Sequence, residues 1–378
     1  MKYYLIAGEA SGDLHASNLM REIKTMDTEA SFRFWGGDLM AAQGGTMVCH
    51  YRDTAYMGFF EVVKHLPDVF RNISRCRKDI AEYRPDAVIL VDYAGFNLRI
   101  AKRIKPLGVP VFYYIAPKIW AWNQQRAYKI KRYIDKVFAI MPFEPEFYSR
   151  FGVEAVYSGN PLLDAIAACP HRNETFDSFV SRTSLPASKP IIAILAGSRV
   201  QEIARILPNM LSVEAAFADY QFVIAGAPSF AYADYAPCLA AHPNVRVLFG
   251  ETYPLLRHAH AAMVTSGTAT LEAALLNCPQ VVCYKMWGGS FTNFMAKRVI
   301  IKVPHISLVN LIMRRETVKE LFQNSFTVTK LTDELARLCF DAAYRQQMLA
   351  EYHNLARIMG DAGSSRITAR LMLETLTS

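Results

Sequence analysis

The sequence predicts two doubly wound α/β domains in series. Short apolar runs such as Lys2–Ala7, Ala87–Val91 and Pro190–Leu195 alternate with helical patterns along almost the whole chain. That alternation is the mark of βα units built on a parallel sheet. It lapses across residues 165–190, where Pro170, Pro186 and Pro190 stand among polar residues, and then restarts. A break of this texture marks a domain boundary. At roughly 150 residues per domain, a chain of 378 residues has room for two or three.

In the first half, strands are expected at Lys2–Ala7, Phe32–Trp35, Ala87–Val91, Val109–Tyr114, Lys136–Ile140 and Ala155–Tyr157, with a helix over Asp13–Lys24. In the second half they are expected at Pro190–Leu195, Gln221–Ala225, Val245–Phe249, Ala261–Val264 and Gln280–Tyr284. Helices are expected over Gln201–Phe217, Thr270–Leu276, Asp333–Arg357 and Ser364–Leu376. The expected domains are therefore 1–165 and 188–345. Helices over 346–378 would pack back on the first domain or on a partner subunit. Doubly wound sheets bind ligands at the carboxyl ends of their strands, and two facing domains make a cleft.

Composition narrows the function. With 52 % apolar and 20 % charged residues the chain is neither disordered nor collagen-like. No apolar run approaches the roughly 18–20 residues of a membrane span. The opening MKYYLIAGEASGD runs into Glu9 and Asp13, too soon for a signal peptide. Seven scattered cysteines without a C-x-x-C fit a reduced cytosolic interior better than a disulfide or zinc framework. The net charge is +8, yet Arg99–Lys136 alone nets +9, with ten Lys/Arg against Asp135. A local basic surplus implies a local anionic partner. Nucleic acid, anionic lipid and a phosphorylated substrate all fit, as does a plain solvated face.

Three strand-to-helix loops of the second half carry the chemistry. Ala196-Gly197-Ser198-Arg199 offers close backbone approach, a hydroxyl and a bidentate guanidinium at a helix start. Thr265-Ser266-Gly267-Thr268-Ala269 is ordinary capping chemistry, but also leaves room for a diphosphate. Glu272 follows in that helix's first turn, placed to reach a ribose diol. Gly250-Glu251-Thr252-Tyr253 closes a third strand. Together they favour a nucleotide-diphosphate pocket. No P-loop, no G-x-G-x-x-G, no H-E-x-x-H and no clustered His/Cys set is present. In the first half, Gly8–Asp13 places Glu9, Ser11 and Asp13 at a helix start, with Asp13 also a fair N-cap. Asp92 leaves strand Ala87–Val91 where a general base belongs.

A helical apolar stripe runs over Phe59–Arg84, broken by Pro67 and flanked by Arg71, Arg75, Arg77 and Lys78. It reads either as core-facing helices or as a membrane-surface element. In the second case Phe59, Phe60 and Phe70 dip into lipid, and basic residues such as Arg71 and Arg75 meet head groups.

Several motifs then fall together: GEASGD at 8–13, MGFFEV at 57–62, APKIWAWNQQRAYKI at 116–130, GNPLLD at 159–164, LAGSRVQEI at 195–203 and SGTATLEAAL at 266–275. In this order the chain resembles the lipid-A-disaccharide synthase family over nearly its whole length. The resemblance implies the two-domain glycosyltransferase B fold, two Rossmann-like domains facing across a cleft, and an inverting, metal-independent reaction without cofactor. The donor would be UDP-2,3-diacylglucosamine and the acceptor 2,3-diacylglucosamine 1-phosphate. The products would be a β-1,6-linked disaccharide 1-phosphate and UDP, a step toward lipid A. The enzyme would sit peripherally on the cytoplasmic face of the inner membrane, be dimeric through its C-terminal helices, and have no nucleic-acid partner.

Carried over residue by residue, Ser198, Arg199, Glu202, Ser266, Gly267, Thr268, Ala269, Glu272 and Asn310 would hold UDP. Glu9, Ser11, Gly12 and Asp13 would face the acceptor. One stretch departs from the family pattern D-x-P-D-F-N. Here it reads Asp92-Tyr93-Ala94-Gly95-Phe96-Asn97, with Gly95 where the second carboxylate is expected. An inverting attack still needs a base, so Asp92 takes that part, with Glu9 in reserve and Arg199 stabilising the leaving group. The rival enzymatic reading is a UDP-N-acetylglucosamine 2-epimerase-like protein, which shares the fold and a similar small-residue loop. A lipid- or nucleic-acid-binding protein has only the basic segment in its support.

Overall fold

The computed structural model describes residues 1–53, 66–265, 267–285 and 305–378. Phe59, Phe60 and Ser266, three of the expected site residues, lie outside the described residues. The chain divides into two compact units, Met1–Asp164 with Asp361–Ser378, and Ala165–Gly360.

The first unit is built on seven parallel strands: β1 (Lys2–Ala7), β2 (Ser31–Gly36), β3 (Thr46–His50), β4 (Ala87–Val91), β5 (Val111–Tyr114), β6 (Lys136–Ala139) and β7 (Ala155–Tyr157). Their order is β3-β2-β1-β4-β5-β6-β7. β4 and β5 are buried along their whole length, because helices cover both faces of a parallel sheet; their unbroken AVILV and VFYY runs say the same. From β1 the chain winds outward through β2 and β3, then returns to the other side of β1 with β4. The order reverses between β1 and β4, and a crevice opens at their carboxyl ends.

The GNPLLD motif is explained by the last helix, Ser364–Thr377, which packs on helix Ala10–Met26 and puts Ala369 and Met372 into the first core. Gly159 has φ +88, and a methyl group there would sit 3.1 Å from Ser364 Cβ. Asp164 accepts from the N–H groups of Gly363 and Ser364 and from the Ser364 hydroxyl, which caps the helix. Helix Leu66–Tyr83 starts one residue before Pro67, so the proline falls in the first turn, where no intrahelical N–H is needed. Its inner face is fixed by Asp79, which accepts from Tyr4 Oη at 2.7 Å and from both prongs of Arg33.

The second unit carries β8 (Ile191–Leu195), β9 (Gln221–Gly226), β10 (Arg246–Phe249), β11 (Ala261–Thr265), β12 (Gln280–Tyr284) and β13 (Lys319–Phe322), all parallel, in the order β10-β9-β8-β11-β12-β13. Here the reversal lies between β8 and β11. The helical tail expected over Asp333–Arg357 is two helices, Val328–Phe340 and Ala342–Met359. They part at Asp341, whose carboxylate accepts from the Tyr344 N–H at 3.0 Å and caps the second. Helix Ala342–Met359 packs on helix Thr268–Leu275 and so belongs to this unit. β3 and β13 are absent from the sequence expectation; both are short and mix polar with apolar residues, as a strand with an exposed side does. Among the described residues no helix is long and apolar enough to cross a membrane. All seven cysteines are free.

Candidate functional site

In the second unit the two loops singled out in the sequence leave the hydrogen-bonded neighbours β8 and β11, at the reversal of strand order. Gly197 has φ +111, and a methyl group on it would meet Glu202 Oε2 at 2.5 Å, so only glycine fits. Glu202 accepts from the Ser198 N–H at 3.0 Å and from the Arg199 guanidinium at 2.9 Å. It therefore shapes this loop. Helix Val200–Leu211 follows with no side-chain cap, leaving first-turn N–H groups open. The Arg199 side chain is 77 % exposed. An ion pair that open is worth little, so the guanidinium is free to exchange Glu202 for a phosphate.

Beside it, Gly267 has φ +130 with open space where a side chain would be, and helix Thr268–Leu275 starts without a side-chain cap. Thr268 is exposed, and Gly267 and Ala269 are half-buried. Two uncapped helix N-termini on adjacent strands put two dipole ends and open N–H groups where a diphosphate needs them. Glu272 is half-buried; burial raises its pKa, and a hydrogen bond with Tyr253 opposes this. Thus the third loop contributes through Tyr253, while its Glu251 is held by Arg182. Tyr284, at the end of β12, was not singled out in the sequence. Its hydroxyl feels both Glu202 and Arg199, and its ring stacks on Phe322 at 6.0 Å.

Asn310 departs from expectation. It is fully buried, its Nδ2 donates to Val318 O and Glu320 Oε1 at 2.8 Å each, and its Oδ1 accepts from Thr317 N at 2.7 Å and Val318 N at 2.9 Å. Every polar atom of the side chain is used in joining helix Leu308–Met313 to β13, so none is left for UDP. Asn310→Ala is expected to cost about 2 kcal/mol by stranding those partners, roughly 4–8 °C in Tm. A thermal melt checks this.

In the first unit, Glu9 ends the turn after β1 and is exposed, as is Ser11. Asp92 ends β4. Asp92 and Tyr93 have φ of +47 and +45, two successive side-chain-bearing residues in the left-handed region. Such strain persists only where neighbours impose it, and it clusters at functional sites. Here Asp92 N–H donates to Tyr114 O at 3.2 Å, and the Asp92 carbonyl accepts from Tyr113 Oη and Asn97 Nδ2 at 2.8 Å each. Gly8 is required, because a methyl group on it would lie 2.2 Å from the Tyr93 ring. Burial raises the Asp92 pKa, while the Tyr93 N–H and Lys118 pull it back. Burial, and then the Asp92 charge, raises that of Glu9.

Gly12 and Asp13 do not join them. The helix begins at Ala10 rather than Asp13, which turns residues 12 and 13 inward; Asp13 is 3 % exposed. Its carboxylate accepts from the N–H groups of Gly37 at 2.7 Å, Leu39 at 3.1 Å and Met40 at 3.2 Å. It caps helix Asp38–Ala42 and is buried against it rather than exposed as Glu9 and Ser11 are.

The loop after β5 carries the APKIWAWNQQRAYKI motif, which has no role in the sequence reading, and the loop after β6 lies outside every motif. Glu144 is buried there, and burial lifts its pKa to about 7 from an ordinary 4.5. Between those values the folded state binds more protons than the unfolded state. On this group's account stability therefore falls as pH rises from about 4.5 to about 7. Glu144→Gln lacks that proton, so the stability gap between wild type and variant is expected to narrow from about pH 5 to about pH 8. Denaturant unfolding at the two pH values reads it.

On helix Leu66–Tyr83, Phe70 is 55 % exposed and Arg71 is exposed, pairing loosely with Asp68. Arg75 is occupied within the unit: it donates to Val48 O at 2.8 Å and lies over the Trp35 ring.

A family model described as lipid-A-disaccharide synthetase matches residues 3–364. The lipid-A-disaccharide synthase of Anaeromyxobacter dehalogenans (strain 2CP-1) is 37 % identical over 366 residues, covering 95 % of this chain and 94 % of that protein. That of Myxococcus xanthus is 35 % identical over 377 residues, covering 98 % and 97 %. Among solved structures, UDP-GlcNAc 2-epimerase from Neisseria meningitidis bound to UDP-GlcNAc superposes with a TM-score of 0.70 at 14 % identity, covering 99 % of this chain and 100 % of that one. Medicago truncatula UGT71G1 complexed with UDP-glucose gives 0.62 at 11 %, covering 100 % and 98 %. At such identities the likeness establishes the fold alone. With the family model spanning nearly the whole chain, and relatives above one-third identity covering 95 % and 98 % of it, the chain belongs to the lipid-A-disaccharide synthetase family.

Proposed function

We propose that the protein is an inverting hexosyltransferase that joins UDP-2,3-diacylglucosamine to 2,3-diacylglucosamine 1-phosphate. The products are the β-1,6-linked disaccharide 1-phosphate and UDP. The observation that carries this reading is the second sheet's reversal point, where Arg199 and two uncapped helix N-termini meet on neighbouring strands. That arrangement suits a diphosphate leaving group, and the family membership supplies the sugars.

The Asp92 carboxylate takes the proton of the acceptor's 6-hydroxyl. The freed oxygen attacks the donor's anomeric carbon from the face opposite UDP, and the C–O bond to the diphosphate breaks with its electron pair leaving on UDP. Arg199 and the open N–H groups ahead of Val200–Leu211 and Thr268–Leu275 stabilise that charge, with Ser198 and the 266–269 turn seating the phosphates. Glu272, steadied by Tyr253, meets the ribose, while Glu9 and Ser11 orient the acceptor. Acylated substrates call for a membrane surface. Exposed Phe70 and Arg71, together with the basic stretch Arg99–Lys136, support peripheral binding at the cytoplasmic face of the inner membrane. Homodimerisation through the C-terminal helices completes the reading; Phe340 and Ile358 leave apolar surface there, at 69 % and 45 % exposure.

Product analysis with each acylated sugar alone and with both tests this. UDP and disaccharide are expected only when both are present, with or without a chelator. Conversion of the UDP-sugar alone would instead support an epimerase.

A further inference from the structure

Among the described residues, Asp92 and Tyr93 alone are side-chain-bearing neighbours that both lie in the left-handed region, at φ +47 and +45. Aspartate visits that region with some ease, whereas a bulky tyrosine there is an outlier. Helix Ala94–Ile104 starts directly after them, with Tyr93 at its N-cap and no side-chain cap to fix the turn. The turn is held instead by its carbonyl. Tyr113 Oη, from β5, and Asn97 Nδ2 both donate to Asp92 O at 2.8 Å. This carbonyl belongs to the peptide plane between the two left-handed residues, so gripping it fixes the ψ of Asp92 and the φ of Tyr93 together. The N–H on the opposite side of the same plane is that of Tyr93, and it donates to the Asp92 carboxylate. The orientation of one peptide plane thus sets both the backbone strain and the anchorage of the carboxylate.

Asn97 is shaped by this task. It stands on the first turn of helix Ala94–Ile104, where its own N–H donates to Tyr93 O at 3.0 Å. Its Nδ2 also reaches Val91 O at 3.2 Å and Ile6 O at 3.5 Å, in β4 and β1. One amide therefore ties the turn to the two strands between which the strand order reverses. Its Oδ1 is buried without a hydrogen-bond partner. An orphaned buried acceptor is costly and calls for an explanation. The explanation here is the donor half of the same amide, which no carboxylate or hydrocarbon of that size replaces.

We propose that Asn97 and Tyr113 are positioning residues for the base: by gripping the Asp92 carbonyl they lock the peptide plane between Asp92 and Tyr93, and that plane fixes the place from which the carboxylate takes the acceptor's proton. The inference rests on Asp92 being the base, as read above. Both side chains are fully buried, so they act through the backbone and not on substrate.

The test compares kcat, acceptor KM, UDP affinity and Tm in the full chain for Tyr113→Phe, Asn97→Ala, Tyr93→Asn and Tyr113→Phe/Tyr93→Asn. Tyr113→Phe removes one hydroxyl from a buried ring. It is expected to lower kcat about tenfold, with UDP affinity and acceptor KM within about twofold of wild type. Asn97→Ala loses the other grip and both strand ties, and should cost about 10²-fold, the size for a group misplaced by about 1 Å. Asparagine takes the left-handed region more readily than tyrosine, so Tyr93→Asn relieves the strain that the grip opposes. In that background Tyr113→Phe is expected to cost about twofold rather than tenfold. The contacts of the tyrosine ring are absent from both members of that comparison and cancel. A lower Tm with kcat unchanged in Tyr113→Phe, equal losses in the two backgrounds, or a loss confined to acceptor KM overturns the inference. If Asn97→Ala fails to fold, the two Tyr113→Phe comparisons decide by themselves. Asp92→Asn separates the failures. Near-normal turnover in it overturns the base and this inference together, while an inert Asp92→Asn beside a fully active Tyr113→Phe overturns the inference alone.

Discussion

Asp92→Asn is expected to lower kcat by roughly 10²–10⁴-fold, the usual weight of a general base, with UDP affinity and Tm close to wild type. The amide keeps the size and shape of the carboxylate but cannot take a proton. The backbone at this position is held through its N–H and carbonyl, and an asparagine Oδ1 can still accept from the Tyr93 N–H, so the strained turn at Asp92 and Tyr93 survives the change. Because burial raises the Asp92 pKa, the base becomes active at a higher pH than an ordinary aspartate would. The wild-type rate should climb there and the variant's should not. Steady-state rates across pH, with UDP binding by calorimetry, read both. The same site offers a gain-of-function control. A side chain at Gly95 meets nothing within 4 Å, so Gly95→Asp fits without strain. It supplies the carboxylate that the family pattern has at this position, and Asp92→Asn/Gly95→Asp is expected to recover part of the lost turnover. Near-normal turnover in Asp92→Asn alone would remove Asp92 from the role.

Arg199→Ala is expected to cost about 10²-fold in kcat, about 2.7 kcal/mol, the size of losing one donor to a developing oxyanion. The change is clean, because the side chain is 77 % exposed and its ion pair to Glu202 contributes little to folding. Glu202 would still accept from the Ser198 N–H and hold the loop. Arg199→Lys keeps the charge but loses the bidentate fork, and should recover only part of the rate. If the loss appeared in donor KM with kcat unchanged, Arg199 would be binding ground state and transition state alike.

The loops were legible in the sequence because strand-to-helix punctuation is local. Glycine, hydroxyl and arginine at the end of an apolar run announce a turn into a helix, and both second-unit loops stand there. Asp92 was legible for the same reason, as the first polar residue after AVILV. Asn310 and Asp13 were misjudged because their partners lie on other elements. Asn310 spends itself on the residues entering β13, and Asp13 on a helix some two dozen positions on. Glu144 was passed over because nothing near it in the chain marks it as buried. Its partner Trp120 comes from the preceding strand's loop.

The sequence by itself determined the two parallel α/β units, the strands that make their cores and the loops that carry the chemistry, because periodicity and turn residues act over a few neighbours. Only the tertiary structure decided the strand order, and with it which loops become neighbours: β1 with β4, and β8 with β11. It also decided that the final helix closes the first unit while the one before it stays with the second. Which polar side chains face a ligand and which are consumed by the fold depends on hydrogen-bond partners far away in sequence, and only packing brings those partners together.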